Sequence, residues 1–184
     1  MRSTILAPAS SDYRGRLTET ELMAAVLDGD VVRVGGAYQC IDLPVDAELR
    51  GASLRAELAP EHIAIERTAA WIWGGALRLS RPFEVAMTGT ASLSTLMPER
   101  YAIRRMRPAL GDVTRIGGVY ATTRMRTIID LLRSPRPDFD GTVIGRIMAE
   151  GAISREHIER DLARRRRLRG RELAWTRLQV LVTR

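Results

Sequence analysis

The segment at residues 112–134, DVTRIGGVYATTRMRTIIDLLRS, constrains the fold most, because it joins a β-hairpin to an amphipathic helix. Two runs rich in β-branched residues surround a Gly-Gly pair, which is the pattern of a tight turn between antiparallel strands. Thr122 or Thr123 is placed to cap the helix that follows, and Pro135 marks its end. Because strands and a helix follow one another within so short a stretch, the chain is predicted to have an α+β fold.

A helix followed directly by a hairpin is also predicted near the N-terminus. Thr18 and Glu21 have the spacing of a capping box, and Gly29 is suited to end the helix. The sequence VVRVGGAYQC at residues 31–40 then predicts two strands around a tight turn. A helix and a hairpin form the second half of a winged helix, while residues 1–16 are too short and irregular to supply its earlier helices. Residues 1–44 are therefore predicted to be a partial winged-helix-like segment.

The central part of the chain, residues 45–134, is predicted to form an α+β region with a small mixed sheet. Helices are expected at 46–59 and 64–73, strands at 83–87 and 101–106, and a loop over 88–99. His62 lies at the entry of the second of these helices and is expected to be exposed.

The C-terminal part is predicted to be helical. Residues 134–141, SPRPDFDG, have the composition of a linker. Helices are expected beyond it at about 141–150, 154–169 and 171–182, so that residues 139–184 form a basic helical region. Because the apolar periodic segments of the central region end near Leu132, we expect the central fold to survive the loss of these last helices.

The positive charge of the chain is concentrated at its C-terminus. The net charge is +7, and all 29 basic residues are arginine. Residues 155–184 contain ten arginines and four acidic residues, a net of +6, whereas residues 1–154 have a net of only +1. Such asymmetry indicates an anionic partner, either nucleic acid or an acidic protein face.

Residues suited to catalysis are sparse, so the chain is predicted not to be an enzyme and to need no cofactor or metal. Cys40 is the only cysteine, and His62 and His157 are the only histidines, which makes a zinc site or a catalytic thiol improbable. A phosphate-binding loop of the kind that carries a lysine is excluded, because the chain has no lysine. No apolar run has the length of a membrane span, and a cytoplasmic protein is expected.

Seven arginines and one tryptophan are the candidate binding residues. Arg164 to Arg167 are four consecutive charges on a predicted helix, and they form either a solvated surface, a DNA phosphate contact or a contact with an acidic protein. The other candidates for DNA or partner binding are Arg33, Arg169 and Arg171. Trp71 is expected in the core, whereas Trp73, on a different face of the helix, is expected at an interface.

One further pair has a structural explanation. Arg126 and Asp130 are four residues apart and can pair on the surface of their helix. Alternatively, Arg126 and Thr127 anchor this helix to the preceding hairpin. In either case the expected role is structural.

Three segments resemble the AbiEi antitoxin family. They are GDVVRVGGAY at 29–38, AIERTAAWIWG at 64–74 and DVTRIGGVYATTRMRTIIDLL at 112–132, of which the third is the longest and most specific. The resemblance implies a winged-helix-like N-terminus, a central antitoxin region and a helical C-terminus. It also implies an antitoxin that neutralises a nucleotidyltransferase toxin encoded beside it and that represses its own operon.

Three functions are therefore open from the sequence. The first is neutralisation of a nucleotidyltransferase toxin, combined with binding of promoter DNA as an autorepressor. The second is DNA-binding transcriptional regulation without a toxin. The third is a truncated paralogue that folds but has no function. The oligomeric state is not predicted.

Overall fold

The computed structural model describes residues 17–87, 99–106, 108–109 and 111–181. The predictions for residues 1–16 and for the loop at 88–98 lie outside the described residues. The elements in chain order are α1 (Glu19–Asp28), β1 (Val31–Val34), β2 (Ala37–Cys40), α2 (Ala47–Ser53), β3 (His62–Ala64), α3 (Glu66–Ile72), β4 (Phe83–Met87), β5 (Tyr101–Arg105), β6 (Val113–Ile116), β7 (Val119–Thr122), α4 (Arg124–Leu132), α5 (Gly141–Glu150), α6 (Arg155–Arg164) and α7 (Arg171–Val180). The predicted α+β class is confirmed.

The chain divides into two compact units. The first contains residues 1–60 together with 116–119, the tip of the β6–β7 hairpin, and the second contains residues 61–115 and 120–184. Among the described residues, no helix is long and apolar enough to cross a membrane.

The first unit begins with the predicted helix and hairpin. Thr18 and Glu21 form the capping box of α1, and Gly29 ends the helix at φ +81°. Strands β1 and β2 pair antiparallel, and a small core forms from Leu22, Val31 and Tyr38. The structure thus has the helix-plus-hairpin arrangement that the local signals predict.

Helix α2 and the tip of the β6–β7 hairpin meet closely in the same unit. The backbone N–H of Gly117 donates to the Glu48 carboxylate at 2.7 Å, and Arg55 Nε donates to the Gly117 carbonyl at 2.7 Å. Gly117 has φ +58°, and a Cβ there would lie 2.2 Å from the Ala52 nitrogen. The prediction of a helix over 46–59 is too long, because α2 ends at Ser53 and turns follow.

The second unit contains a five-stranded mixed sheet in the order β5-β4-β3-β7-β6. Strand β3 pairs antiparallel with β4 and parallel with β7, while β4 pairs parallel with β5. The sequence did not indicate β3, because three residues are too few to show an alternating pattern. The expected exposure of His62 is wrong, since it lies on this inner strand, is buried and packs on the Tyr101 ring at 4.7 Å. Burial lowers the pKa of His62.

Helices α5, α6 and α7 all pack on α4 in the second unit. Beyond Leu132, where the apolar segments were expected to end, Ile158, Leu162, Ala174 and Leu178 are buried. The expectation that the central fold survives without the last helices stays a prediction, and the burial of these side chains argues against it. Ser154 caps α6 more completely than predicted, since the exposed His157 side chain accepts from the Ser154 N–H at 3.2 Å.

Candidate anion-binding surface and arginine-lined cavity

The predicted helix over 154–169 ends early, within the arginine run. Arg164 is the last residue of α6, Arg165 is its C-cap, and a turn carries Arg166 and Arg167 toward α7. The four consecutive arginines therefore do not surround a helix as expected. They straddle a helix end, which gives each side chain a different environment.

Arg165 points inward and is used within the fold. Its Nη2 donates to Asp112 at 2.6 Å and its Nε donates to Asp161 at 2.6 Å, and its side chain is 23% exposed. The hydrogen bond to Asp112 raises the pKa of Arg165 against the effect of burial. As a candidate contact for DNA or a protein, Arg165 is the weakest of the run, because its donors already face two carboxylates.

Arg171 is also partly engaged. Its Nε donates to the carbonyl of Leu162 at 3.1 Å, and its guanidinium lies 6.0 Å from the centre of the Trp175 ring. The half-buried side chain therefore ties the start of α7 to the end of α6. Arg171 has less freedom than its exposed neighbours to contact a partner.

The remaining arginines of this region form an exposed group, which we call the C-terminal arginine cluster. Each is exposed and makes no side-chain ion pair with any residue that the structure describes. The members are Arg160, Arg164, Arg166, Arg167 and Arg169. The sequence reasoning missed Arg160, although its spacing of four from Arg164 on α6 places the two on one helix face. The uncapped N-terminus of α7 follows directly and adds positive potential.

Arg33 lies in the first compact unit. It is exposed on β1, opposite Tyr38 in the hairpin register. It makes no ion pair within the described part of the chain, so its charge is available to an anionic partner.

Trp73 does not lie at an interface as expected. It is the C-cap of α3 and is 5% exposed, and its indole N–H donates to the Thr122 carbonyl at 2.8 Å. The Arg124 guanidinium covers the ring at 4.4 Å. Trp71 is buried as predicted, so both tryptophans belong to the core of the second unit.

The polar residues of the segment at 112–132 bind one another. Arg126 donates to Asp130 at 2.8 Å and to Asp112 at 2.5 Å. The Thr122 and Thr127 hydroxyls lie 2.8 Å apart, so the predicted anchoring of the helix to the hairpin is confirmed. The expected pairing of Arg126 with Asp130 is confirmed, but both side chains are buried, so its expected place on the helix surface is wrong.

Charge pairing overcomes burial in this cluster. Burial alone would lower the pKa of Arg126, but Asp130 and Asp112 raise it above its ordinary value. Burial alone would raise the pKa of Asp112, but hydrogen bonds and charge from Arg165 and Arg126 lower it. The network thus favours the ionised forms of Arg126 and Asp112 inside the fold.

A cavity of about 230 Å³ lies elsewhere in the second unit, and four arginines line it. They are Arg67, Arg78, Arg136 and Arg177. Two acidic residues, Asp138 and Asp140, and apolar side chains that include Leu131, Phe139 and Val143 complete much of the wall. Part of this wall comes from the proline-rich segment that the sequence indicated only as a linker.

Two buried carboxylates hold two of the four arginines of the cavity wall. Glu84 accepts from the Arg67 backbone N–H at 2.7 Å and from Arg67 Nε at 3.0 Å, and it also pairs with Arg136. Glu66 pairs with Arg104 at 2.5 Å and lies 3.5 Å from Arg136. Glu66 has φ +43°, and its burial raises its pKa. No sequence pattern indicates this arrangement, because it joins residues from α3, β4 and the segment after α4.

The described residues offer no site for a metal ion. Over residues 17–87, 99–106, 108–109 and 111–181, no group of three His, Cys, Asp or Glu side chains is placed to hold a metal ion. Cys40 ends β2 and is exposed.

No protein-family model matches the sequence of this chain, and no curated protein matches it either. The resemblance to AbiEi antitoxins therefore depends on the three segments at 29–38, 64–74 and 112–132.

Proposed function

We propose that this chain is a cytoplasmic, non-catalytic antitoxin that binds a nucleotidyltransferase toxin and also binds its own promoter DNA. The observation that carries the proposal is the C-terminal arginine cluster. It presents five exposed guanidinium groups for which the described part of the chain offers no acidic partner. The nature of the partner comes from the sequence resemblance.

The cluster supports an anionic macromolecular partner on electrostatic grounds. Like charges that are close together repel, and an acid at the right spacing would relieve this repulsion, as Glu159 does for Arg155 on the other part of α6. In the described structure no acid pairs with a cluster member, since Asp161, three residues before Arg164, pairs with Arg165 instead. Arg165 and Arg171 nearby are engaged internally. A guanidinium is planar and has five donors, which suits it to phosphates and carboxylates.

The toxin is the partner that the AbiEi-like segments favour. A nucleotidyltransferase active site carries carboxylates that bind metal ions, and an arginine surface can occupy that negative field. The buried Arg126 network supports the same assignment, because the polar positions that carry the resemblance are the ones that stabilise β6, β7 and α4 together.

Promoter DNA is the second partner, and the cluster favours it directly. Arginine–phosphate contacts release condensed counterions, so binding weakens steeply as the salt concentration rises. Phosphate contacts alone carry no sequence information, so we expect weak discrimination between operator and other DNA unless the α1 helix and its hairpin add base contacts. Arg33 on that hairpin is the candidate for an additional phosphate contact.

The test compares two variants with the same loss of charge. Arg166→Gln/Arg167→Gln removes two members of the cluster, and Arg105→Gln/Arg115→Gln removes two exposed arginines elsewhere. Binding of promoter DNA is titrated by fluorescence at several salt concentrations. We expect the cluster variant to flatten the salt slope by about two units, because each lost phosphate contact accounts for about one. The control variant should retain the wild-type slope.

Toxin binding is tested with the same variants. The chain is co-expressed with the nucleotidyltransferase encoded beside it, and growth and co-purification are measured. Restored growth with a co-purified complex supports the antitoxin proposal. If the wild-type chain binds DNA but does not restore growth, it is a transcriptional regulator without a toxin. If it does neither, it is a non-functional paralogue. If the cluster variant no longer restores growth while the control variant still does, the cluster binds the toxin.

A further inference from the structure

We infer that the arginine-lined cavity of the second unit binds a small organic phosphate, a monoester with a compact apolar body. This inference goes beyond the proposed function and does not depend on it. The cavity wall and the C-terminal arginine cluster have no arginine in common, so variants can change one without the other.

Hydrogen-bond donors dominate the polar part of the cavity. Arg78 is exposed and makes no hydrogen bond or ion pair with any described residue. Arg136 uses only its Nη1 toward Glu84 and Glu66, so that its Nε and Nη2 remain for a ligand. A ligand that satisfies these groups must be rich in acceptors.

Ser134 adds a buried donor to the same wall. Its side chain is 8% exposed, it lines the cavity, and its Oγ has no hydrogen-bond partner among the described residues. A buried hydroxyl without a partner is costly, and such groups usually mark a place where another molecule supplies the missing bond. A polar ligand in the cavity is one molecule that would supply the missing bond once the Ser134 side chain turns toward it.

The unpaired donors of the lining favour a phosphate monoester over a carboxylate. Arg67 and Arg136 are paired with Glu84, and Arg177 donates to backbone carbonyls. The attraction therefore comes from the Arg78 guanidinium, which no described residue engages, and from Nε and Nη2 of Arg136, not from net charge. A phosphate monoester carries a charge between about −1.5 and −2 at neutral pH and has three strong acceptor oxygens. A carboxylate carries a single charge and two oxygens, which would leave donors of the separate arginines unmatched.

The remaining wall requires an apolar body of limited size. Phe139 presents its ring beside the Arg177 guanidinium at 4.4 Å, and Leu131 and Val143 lie along the same wall. The volume of about 230 Å³ equals that of roughly eight water molecules in the liquid. This space suits a phosphate with a small ring or short chain.

Three of the four arginines of this site are held in place before a ligand arrives. Glu84 fixes Arg67 and Arg136, and Arg177 donates to the Ser134 carbonyl and, at 2.9 Å, to the Arg136 carbonyl. Fixing donors in advance reduces the conformational entropy that binding must overcome. This explains why two carboxylates are buried at the cavity wall although the expected ligand is itself an anion.

The experiment measures binding of phenyl phosphate to the full chain by isothermal titration calorimetry. Inorganic phosphate, benzoate and benzyl alcohol serve as probes of the charged group and of the apolar body. We expect saturable binding of phenyl phosphate with a Kd of about 1 mM or lower. The three other probes should bind at least about tenfold more weakly, because each lacks one part of the recognised group.

Two variants test the residues. Arg78→Gln should weaken binding of phenyl phosphate by about tenfold, and Ser134→Ala by about threefold to tenfold, since each removes one hydrogen bond to a charged ligand. Arg105→Gln is the control, because it removes an exposed arginine that does not line the cavity. Circular dichroism verifies that each variant is folded.

Four outcomes would overturn the inference. They are no saturable binding to the folded wild-type chain, equal binding of benzyl alcohol, wild-type affinity in both Arg78→Gln and Ser134→Ala, and displacement of phenyl phosphate by a short DNA duplex. The last would assign the cavity to a nucleic-acid surface instead of a small molecule. Loss of DNA or toxin binding in the cluster variant, with phenyl phosphate still bound, would leave the inference intact.

Discussion

Replacing Arg126 with methionine removes the cation that joins two buried carboxylates. Arg126 donates to Asp130 at 2.8 Å and to Asp112 at 2.5 Å, and the side chains of both aspartates are at most 4% exposed. Methionine keeps a flexible unbranched chain in place of the arginine stem, so the substitution removes the charge with little loss of packing. Two carboxylates then remain in the interior with fewer partners.

The cost follows from what each carboxylate retains. Removing one partner of a buried ion pair destabilises a protein by about 3–5 kcal/mol. Asp130 keeps Arg133 at 2.8 Å, and Asp112 keeps Arg165 at 2.6 Å. We therefore expect the lower end of this range, about 3 kcal/mol in the free energy of unfolding. For a chain of this size, that loss corresponds to a fall in Tm of about 6–12 °C.

Urea unfolding followed by circular dichroism measures the loss. The matched control is Arg155→Met, which breaks the half-exposed pair between Arg155 and Glu159, also four residues apart on a helix and 2.6 Å long. A pair that solvent reaches in this way contributes about 1 kcal/mol or less. The reasoning is refuted if Arg126→Met costs less than about 1 kcal/mol, or if the two variants lose the same free energy.

Three further predictions concern other positions. The pKa of Asp112 is lowered in the folded protein, so its carboxylate stabilises the fold above its ordinary pKa of 3.8, and this stabilisation is lost as the pH falls through the lower folded pKa. Urea unfolding should therefore show the wild-type chain more stable than Asp112→Asn by the largest margin near pH 7. The margin should shrink below about pH 3.8. Trp73→Ala should lower the free energy of unfolding by about 3–5 kcal/mol, whereas an interface residue would lose little in the monomer. Gly117→Ala should lower the free energy of unfolding by more than about 2 kcal/mol in the same assay, because the added Cβ would clash with α2 and the backbone conformation would be strained. Gly29→Ala has the same backbone strain but open space around the added Cβ, so it should lower the free energy of unfolding by only about 1–2 kcal/mol.

Elements with local signals could be predicted from the sequence. Helix α1 and the β1–β2 hairpin follow from Thr18, Glu21 and Gly29, whose effects act within a few residues along the chain. Helix α4 and its hairpin follow likewise, with Thr123 and not Thr122 as the cap. These signals do not depend on which element packs against which, so a single sequence contains them in full.

Features that depend on tertiary pairing could not be predicted. Strand β3 is recognisable only beside β4 and β7, and the burial of His62 follows from that position. Helical spacing places Trp73 on a different helix face from Trp71, which is why the sequence predicts Trp73 at an interface. The indole N–H instead finds its acceptor 49 residues later in the chain, at Thr122. Periodicity gives the face of a helix, but it does not reveal that both faces are covered.

The arginines show why a count of charge along a sequence identifies a region but not a binding surface. The net of +6 over residues 155–184 includes Arg165, whose acidic partner Asp112 lies 53 residues earlier, and Arg177, whose donors reach carbonyls after α4. These two charges stabilise the fold and offer little to a partner. The accessible positive charge is therefore concentrated on the last turns of α6 and the turn that follows, where the nearby acids Glu159 and Asp161 are paired with Arg155 and Arg165. Conversely, the cavity draws Arg67, Arg78 and Arg136 from a part of the chain that is almost neutral overall, because an anion responds to local pairing and not to net charge.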